Sequence, residues 1–142
     1  MSGAGFWLIQ GPGWLLFVYF AIAQCVPAFN YEWGVRMGTQ EPAAQATEVG
    51  VAFWKGFAVG DLIYTPLLGL GLVGHLLGAA WSPVILGAAL GITVYWPVVC
   101  LWTVRSARGA PGWSLPKEGQ YWIVLPLIAL WAVASLFVLV AA

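Results

Sequence analysis

Four stretches of this chain stay apolar for more than twenty residues each, and a soluble fold of 142 residues has no place to put them. They run from about 6 to 29, 48 to 74, 82 to 104 and 120 to 142. A helix needs about 20 apolar residues to cross the hydrocarbon core of a bilayer. A short chain has too high a surface-to-volume ratio to hide 62% hydrophobic residues from water. Only 7% of the residues are charged, against roughly 25% in soluble domains. Lipid is therefore the expected solvent. The expected fold class is all-α: a single domain, residues 1–142, forming a four-helix transmembrane bundle of a multi-pass plasma- or inner-membrane protein.

Charge placement orients that bundle. Arg36, Arg105, Arg108 and Lys117 fall in the two polar connections, 30–47 and 105–119, and Lys55 lies just inside the second segment. The short link HLLGAAW, residues 75–81, has no Lys or Arg and joins segments two and three as an antiparallel hairpin. Four spans put both basic connections on one side, and the positive-inside rule makes that side cytoplasmic, with both termini outside. No Lys or Arg precedes the first segment, so it reads as a retained helix and not as a secretory signal. Net charge is zero without a basic run, which excludes a nucleic-acid partner.

Local signals refine the helix ends. Ser82-Pro83 reads as a hydroxyl cap followed by Pro at the first helical position. Thr39-Gln40-Glu41-Pro42 reads as an earlier start for the second helix, with Glu41, Gln45, Glu48 and Lys55 on one face. Pro12, between Gly11 and Gly13, bends the first helix or delays its start to Trp14. The ten tryptophans include Trp7, Trp14, Trp33, Trp81, Trp102, Trp113 and Trp122 near segment ends, the pattern of interfacial anchors. A Trp-lined ligand cavity is the sharper alternative. Gly56-x-x-x-Gly60 and Gly87-x-x-x-Gly91 are read as close-packing pairs inside the hairpin, ahead of a dimer face.

One residue breaks the apolar pattern. In FAVGDLIYTP, residues 57–66, Asp61 stands near the middle of the second span. A charge there costs roughly 2.5–3.5 kcal/mol on insertion scales, and an intramembrane ionisable group is by default a functional candidate. Reflecting the hairpins onto one another puts Asp61 level with Tyr95 and with Tyr19. Tyr64 and Thr65 follow on its own helix, and Thr93 lies near Tyr95. These six form the candidate ligand-binding or proton-carrying site, with Tyr95 as the expected partner of the carboxyl. Lys55 fits poorly, because six residues rotate a helix by roughly 240°. Lys55, Glu48 and Arg36 are assigned to cytoplasmic-edge charge.

Other chemistry is thinly supported. A lone His75 cannot build a metal site or hold a haem between two histidines, so neither metal nor cofactor is expected. His75 reads as a solvated interfacial residue. Cys25 and Cys100 read as free buried thiols. There is no GxSxG, HExxH or paired intramembrane carboxylate, and the balance leans against an enzyme. The leading functional reading is a membrane protein that binds or transports a small hydrophobic or cationic molecule, or a proton, around Asp61. An accessory subunit of a larger membrane complex comes second, and an intramembrane lipid-modifying enzyme third. Expected partners are the lipid bilayer, a hydrophobic small molecule, and a second copy or a membrane-complex partner.

Overall fold

A computed structural model describes residues 2–40, 42, 48–115 and 117–141, and among these it is all-helical. The first span is α1 (Gly3–Phe20), a π-helical turn (Ala21–Cys25) and α2 (Val26–Phe29). A short α3 (Tyr31–Arg36) follows. The remaining spans are α4 (Glu48–Leu76), α5 (Ser82–Ala107) and α6 (Glu118–Val140). All four spans are long and apolar enough to cross a membrane.

The helix ends follow from local chemistry. α1 begins well before Trp14: the Ser2 hydroxyl accepts from the Gly5 amide at 3.2 Å and caps the helix, which runs on through Pro12. At α5 the cap position is Trp81, so Ser82 is the first helical residue and Pro83 the second. Pro is tolerated there because first-turn amides lack helical partners anyway. Thr39 does not cap α4. Its hydroxyl donates to the Gly34 carbonyl at 3.2 Å and closes α3 instead. Glu41 and Gln45, the other members of that expected face, lie outside the described residues.

The spans close into a ring: α1 against α4, α4 against α5, α5 against α6, and α6 thinly against α1. The core lies on the inner stripes, with Ile9, Phe20, Leu68, Leu72, Leu86 and Leu90 among its buried members. A second cluster, around Trp54, Cys100, Val104 and Leu125, fills the end that carries the cations. The outside is apolar: Leu15, Ile63, Val84 and Phe137 are each more than 70% exposed. In water such a surface would drive aggregation, and in lipid it is the ordinary exterior. The chain has the build of a multi-pass membrane protein.

The glycine pairs act differently from expectation. A Cβ on Gly56, Gly60 or Gly91 would meet nothing within 4 Å, and one on Gly87 would meet only Leu139 at 3.8 Å. None of them brings helices together within the chain. The close approach comes from Gly71, where a Cβ would sit 2.9 Å from the Leu86 Cα of α5. Gly69 and Gly74 similarly make room for the rings of Phe17 and Trp81.

The two ends of the bundle are tied differently. At the cation end Lys117 donates to the Gly38 carbonyl at 3.2 Å, joining the two basic connections, and Arg108 pairs with Glu118. At the other end buried Gln10 bridges α1 and α4. Its amide nitrogen lies 3.2 Å from the Leu72 carbonyl and 2.8 Å from His75 Nδ1, and its oxygen accepts from Trp14 Nε1 at 2.8 Å. His75, expected to stand alone in solvent, is held in this network and stacks on Phe6 at 5.3 Å.

The α1–α6 seam has its own latch. Pro12 has no amide hydrogen, so the Leu8 carbonyl four residues earlier loses its helical partner. Trp131 Nε1 donates to that carbonyl at 2.8 Å. Trp131→Phe is therefore expected to cost about 0.5–1.5 kcal/mol, the net value of one hydrogen bond. Pro12→Ala returns a helical donor to Leu8, so the cost should shrink toward zero in that background. Unfolding in mixed micelles across the four variants measures this, and strictly additive costs would contradict the latch.

Candidate functional site

Asp61 is 4% exposed, on the inner stripe of α4. That stripe reads Gly50, Trp54, Ala58, Asp61, Thr65, Leu68 and Leu72, a helical recurrence of three and four. Asp61 Oδ2 is buried and has no hydrogen-bond partner among the described residues. It lines a space of about 10 Å³ shared with Phe20, Tyr64, Thr93 and Trp96. Such a volume suits about one water molecule and no larger ligand.

Tyr64 and Thr93 are joined beside it. The Tyr64 hydroxyl lies 2.6 Å from Thr93 Oγ1, which donates on to the Ala89 carbonyl at 2.8 Å. Thr65 is buried on the opposite flank, where the Cys25 thiol lies 3.4 Å from its hydroxyl and 3.5 Å from the Asp61 carbonyl. Both cysteines are free; Cys100 is buried as expected, and Cys25 is half-buried.

Tyr95 is not the partner of Asp61. It is 69% exposed on the outside of α5. Thr93 takes the inward position beside Asp61, and two residues on, at 100° each, the helix has turned Tyr95 away. Tyr19 does not line the small space at Asp61 and lines a larger neighbouring cavity instead. It is 49% exposed, while Phe20 points inward and meets Tyr64 edge-on at 5.1 Å. The edge charges are not brought together either. Lys55 sits 5.6 Å above the Tyr31 ring, while Glu48 and Arg36 are exposed.

The larger space lies next to Asp61, toward the cation end. A cavity of about 200 Å³ is walled by Phe20, Trp54, Phe57, Trp96 and Tyr121. Its outer rim carries Gln24, Thr39, Gln40, Gln120 and Lys117. Phe20, Trp96 and Ile128 separate it from the small space at Asp61 while lining both. The Trp96 indole nitrogen is a buried donor without a partner among the described residues. An apolar cavity of about 150 Å³ is enough to hold benzene.

A break in the first span shapes the rim. Pro27 has no amide hydrogen, and the Ala23 carbonyl within the π-helical turn is the one it leaves free. Gln40 Nε2 donates to this carbonyl at 3.4 Å and to Gln24 Oε1 at 3.3 Å. Gly34 permits the approach, since a Cβ there would come within 2.7 Å of both Gln40 and Pro27. At the α1–α6 seam the cavity is lined by Tyr19, Val124 and Ile128. Those residues also line an apolar groove of about 370 Å³ between the two helices, which ends at Pro12 and Trp131.

Compared with protein families, curated proteins and solved structures, the chain matches none. Function has to be argued from the cavity and its surroundings.

Proposed function

We propose that this protein binds a small, mainly hydrophobic molecule in the aromatic cavity, within the membrane. The observation that carries the reading is an aromatic-walled space of about 200 Å³ that shares Tyr19, Val124 and Ile128 with the outer groove between the two thinly packed spans. Ligand sites are typically concave and apolar with a few convergent polar groups, and this space combines aromatic walls with a rim of amides and one unpartnered indole N–H. Asp61 is a buried carboxyl behind the wall, with room for one water and no contact with the ligand. Positive-inside placement puts the cavity in the cytoplasmic half and both termini outside.

Small aromatic probes test this. Indole should raise the melting temperature of the detergent-solubilised protein, because a ligand at 100 times its Kd stabilises by about 2.7 kcal/mol. Val124 lines the mouth and is 49% exposed, so Val124→Trp should block the opening without disturbing the core. The variant should fold normally and lose most of the indole response. An equal response in both proteins would place indole elsewhere and sink the proposal.

A further inference from the structure

We infer that the natural ligand is a single-chain amphiphile with an anionic, hydrogen-bond-accepting head, entering from the bilayer through the α1–α6 seam. This rests on the cavity being a ligand site and assigns the chemistry of what fills it.

Continuity of the two spaces gives the chain its place. Tyr19, Val124 and Ile128 belong both to the cavity and to the outer groove, so one elongated molecule can occupy both. The groove itself is almost purely apolar, lined by such residues as Leu15, Leu16 and Leu127. From Lys117 to Trp131 the rise along α6 is about 21 Å at 1.5 Å per residue, close to an extended palmitoyl chain. An acyl chain gains little by leaving lipid for an equally apolar groove. Selectivity must therefore come from the head.

The rim sets the sign of the head. Among the described residues lining the cavity, Lys117 carries the only charge. Around it the amides of Gln24 and Gln120 are able to donate, while the hydrogens of Gln40 and of the Thr39 hydroxyl already go to Gln24, Ala23 and Gly34. At the same end of the bundle Arg36 and Arg105 add positive charge, Arg108 is paired with Glu118, and Glu32 and Glu48 are acidic but do not line the cavity. Asp61, the group that would favour a cation, lines the separate small space and not this one. Head at the basic edge and tail toward the membrane centre is also how a leaflet amphiphile already lies.

The full chain in phosphatidylcholine nanodiscs would be titrated with three probes of equal chain length: palmitate, hexadecanol and hexadecyltrimethylammonium. Palmitate should bind at least tenfold more tightly than the cation. Lys117→Gln should weaken palmitate about tenfold and leave hexadecanol unchanged, while Lys117→Arg retains palmitate. Leu127→Trp, filling the groove, should weaken all three and spare indole. Equal binding of palmitate and the cation, a preference for the cation, or indifference to Lys117→Gln overturns the inference while indole binding keeps the cavity reading alive. Loss of indole binding in the wild-type protein defeats both.

Discussion

Gly71→Ala should lower the stability of the bundle by roughly 1–3 kcal/mol, the usual cost of forcing a methyl into a packed contact. The new Cβ would lie 2.9 Å from Leu86 Cα and 3.0 Å from its amide nitrogen. Both are backbone atoms, so no side-chain rotation relieves the clash and α4 and α5 must separate. Gly56→Ala and Gly60→Ala meet nothing within 4 Å and should be neutral, or stabilising by about 0.5–1 kcal/mol because Ala is the better helix former. Unfolding in mixed micelles compares the three. If Gly71→Ala unfolds like the other two, the α4–α5 contact is not as described.

Asp61→Val should act with the opposite sign. Asp61 Oδ2 is buried without a partner among the described residues, and an unsatisfied buried polar group costs about 1–3 kcal/mol. Replacing it with an apolar side chain removes that penalty and should raise stability by a similar amount. Asp61→Asn keeps a polar group in the same place and should gain much less. A destabilised Asp61→Val would mean that the carboxyl holds the bundle together. A stabilised one would mark Asp61 as retained at a cost to stability, as functional groups often are.

The architecture was legible because lipid leaves the backbone few options. A spanning segment must satisfy its own amides, and long uncharged runs therefore announce helices almost by themselves. The four observed spans begin and end within about three residues of the expected limits, with α5 running on to Ala107 and α6 starting at Glu118 in polar sequence. Facing was much harder to read. A helix in lipid is apolar on every side, so the contrast that marks the buried stripe in a soluble helix is missing. Level along a helix does not give facing, and Tyr95 faces outward. Gly56 and Gly60 satisfied a spacing motif that says nothing about where a neighbouring helix lies.

Some of the missed site was nonetheless readable. Asp61 is polar and expensive to expose to lipid, so it reports which face of α4 points inward. Stepping back seven residues from Asp61 reaches Trp54, a cavity wall on the same stripe. A single inward tryptophan would have separated lining residues from interfacial anchors such as Trp7 and Trp102, which are 68% and 69% exposed. Gln40 and Lys117 had no comparable signal. Gln40 reaches the rim through the carbonyl that Pro27 frees, and Lys117 through the meeting of two connections far apart in sequence.

The central claim is that the aromatic cavity is a ligand site reached from the lipid. Crystals grown with 5-bromoindole test it most directly, because bromine is located by its anomalous scattering. The account predicts a bromine peak enclosed by Trp54, Trp96 and Tyr121, which disappears in Val124→Trp. A peak confined to the outer surface of the bundle, or one unchanged by Val124→Trp, would contradict it.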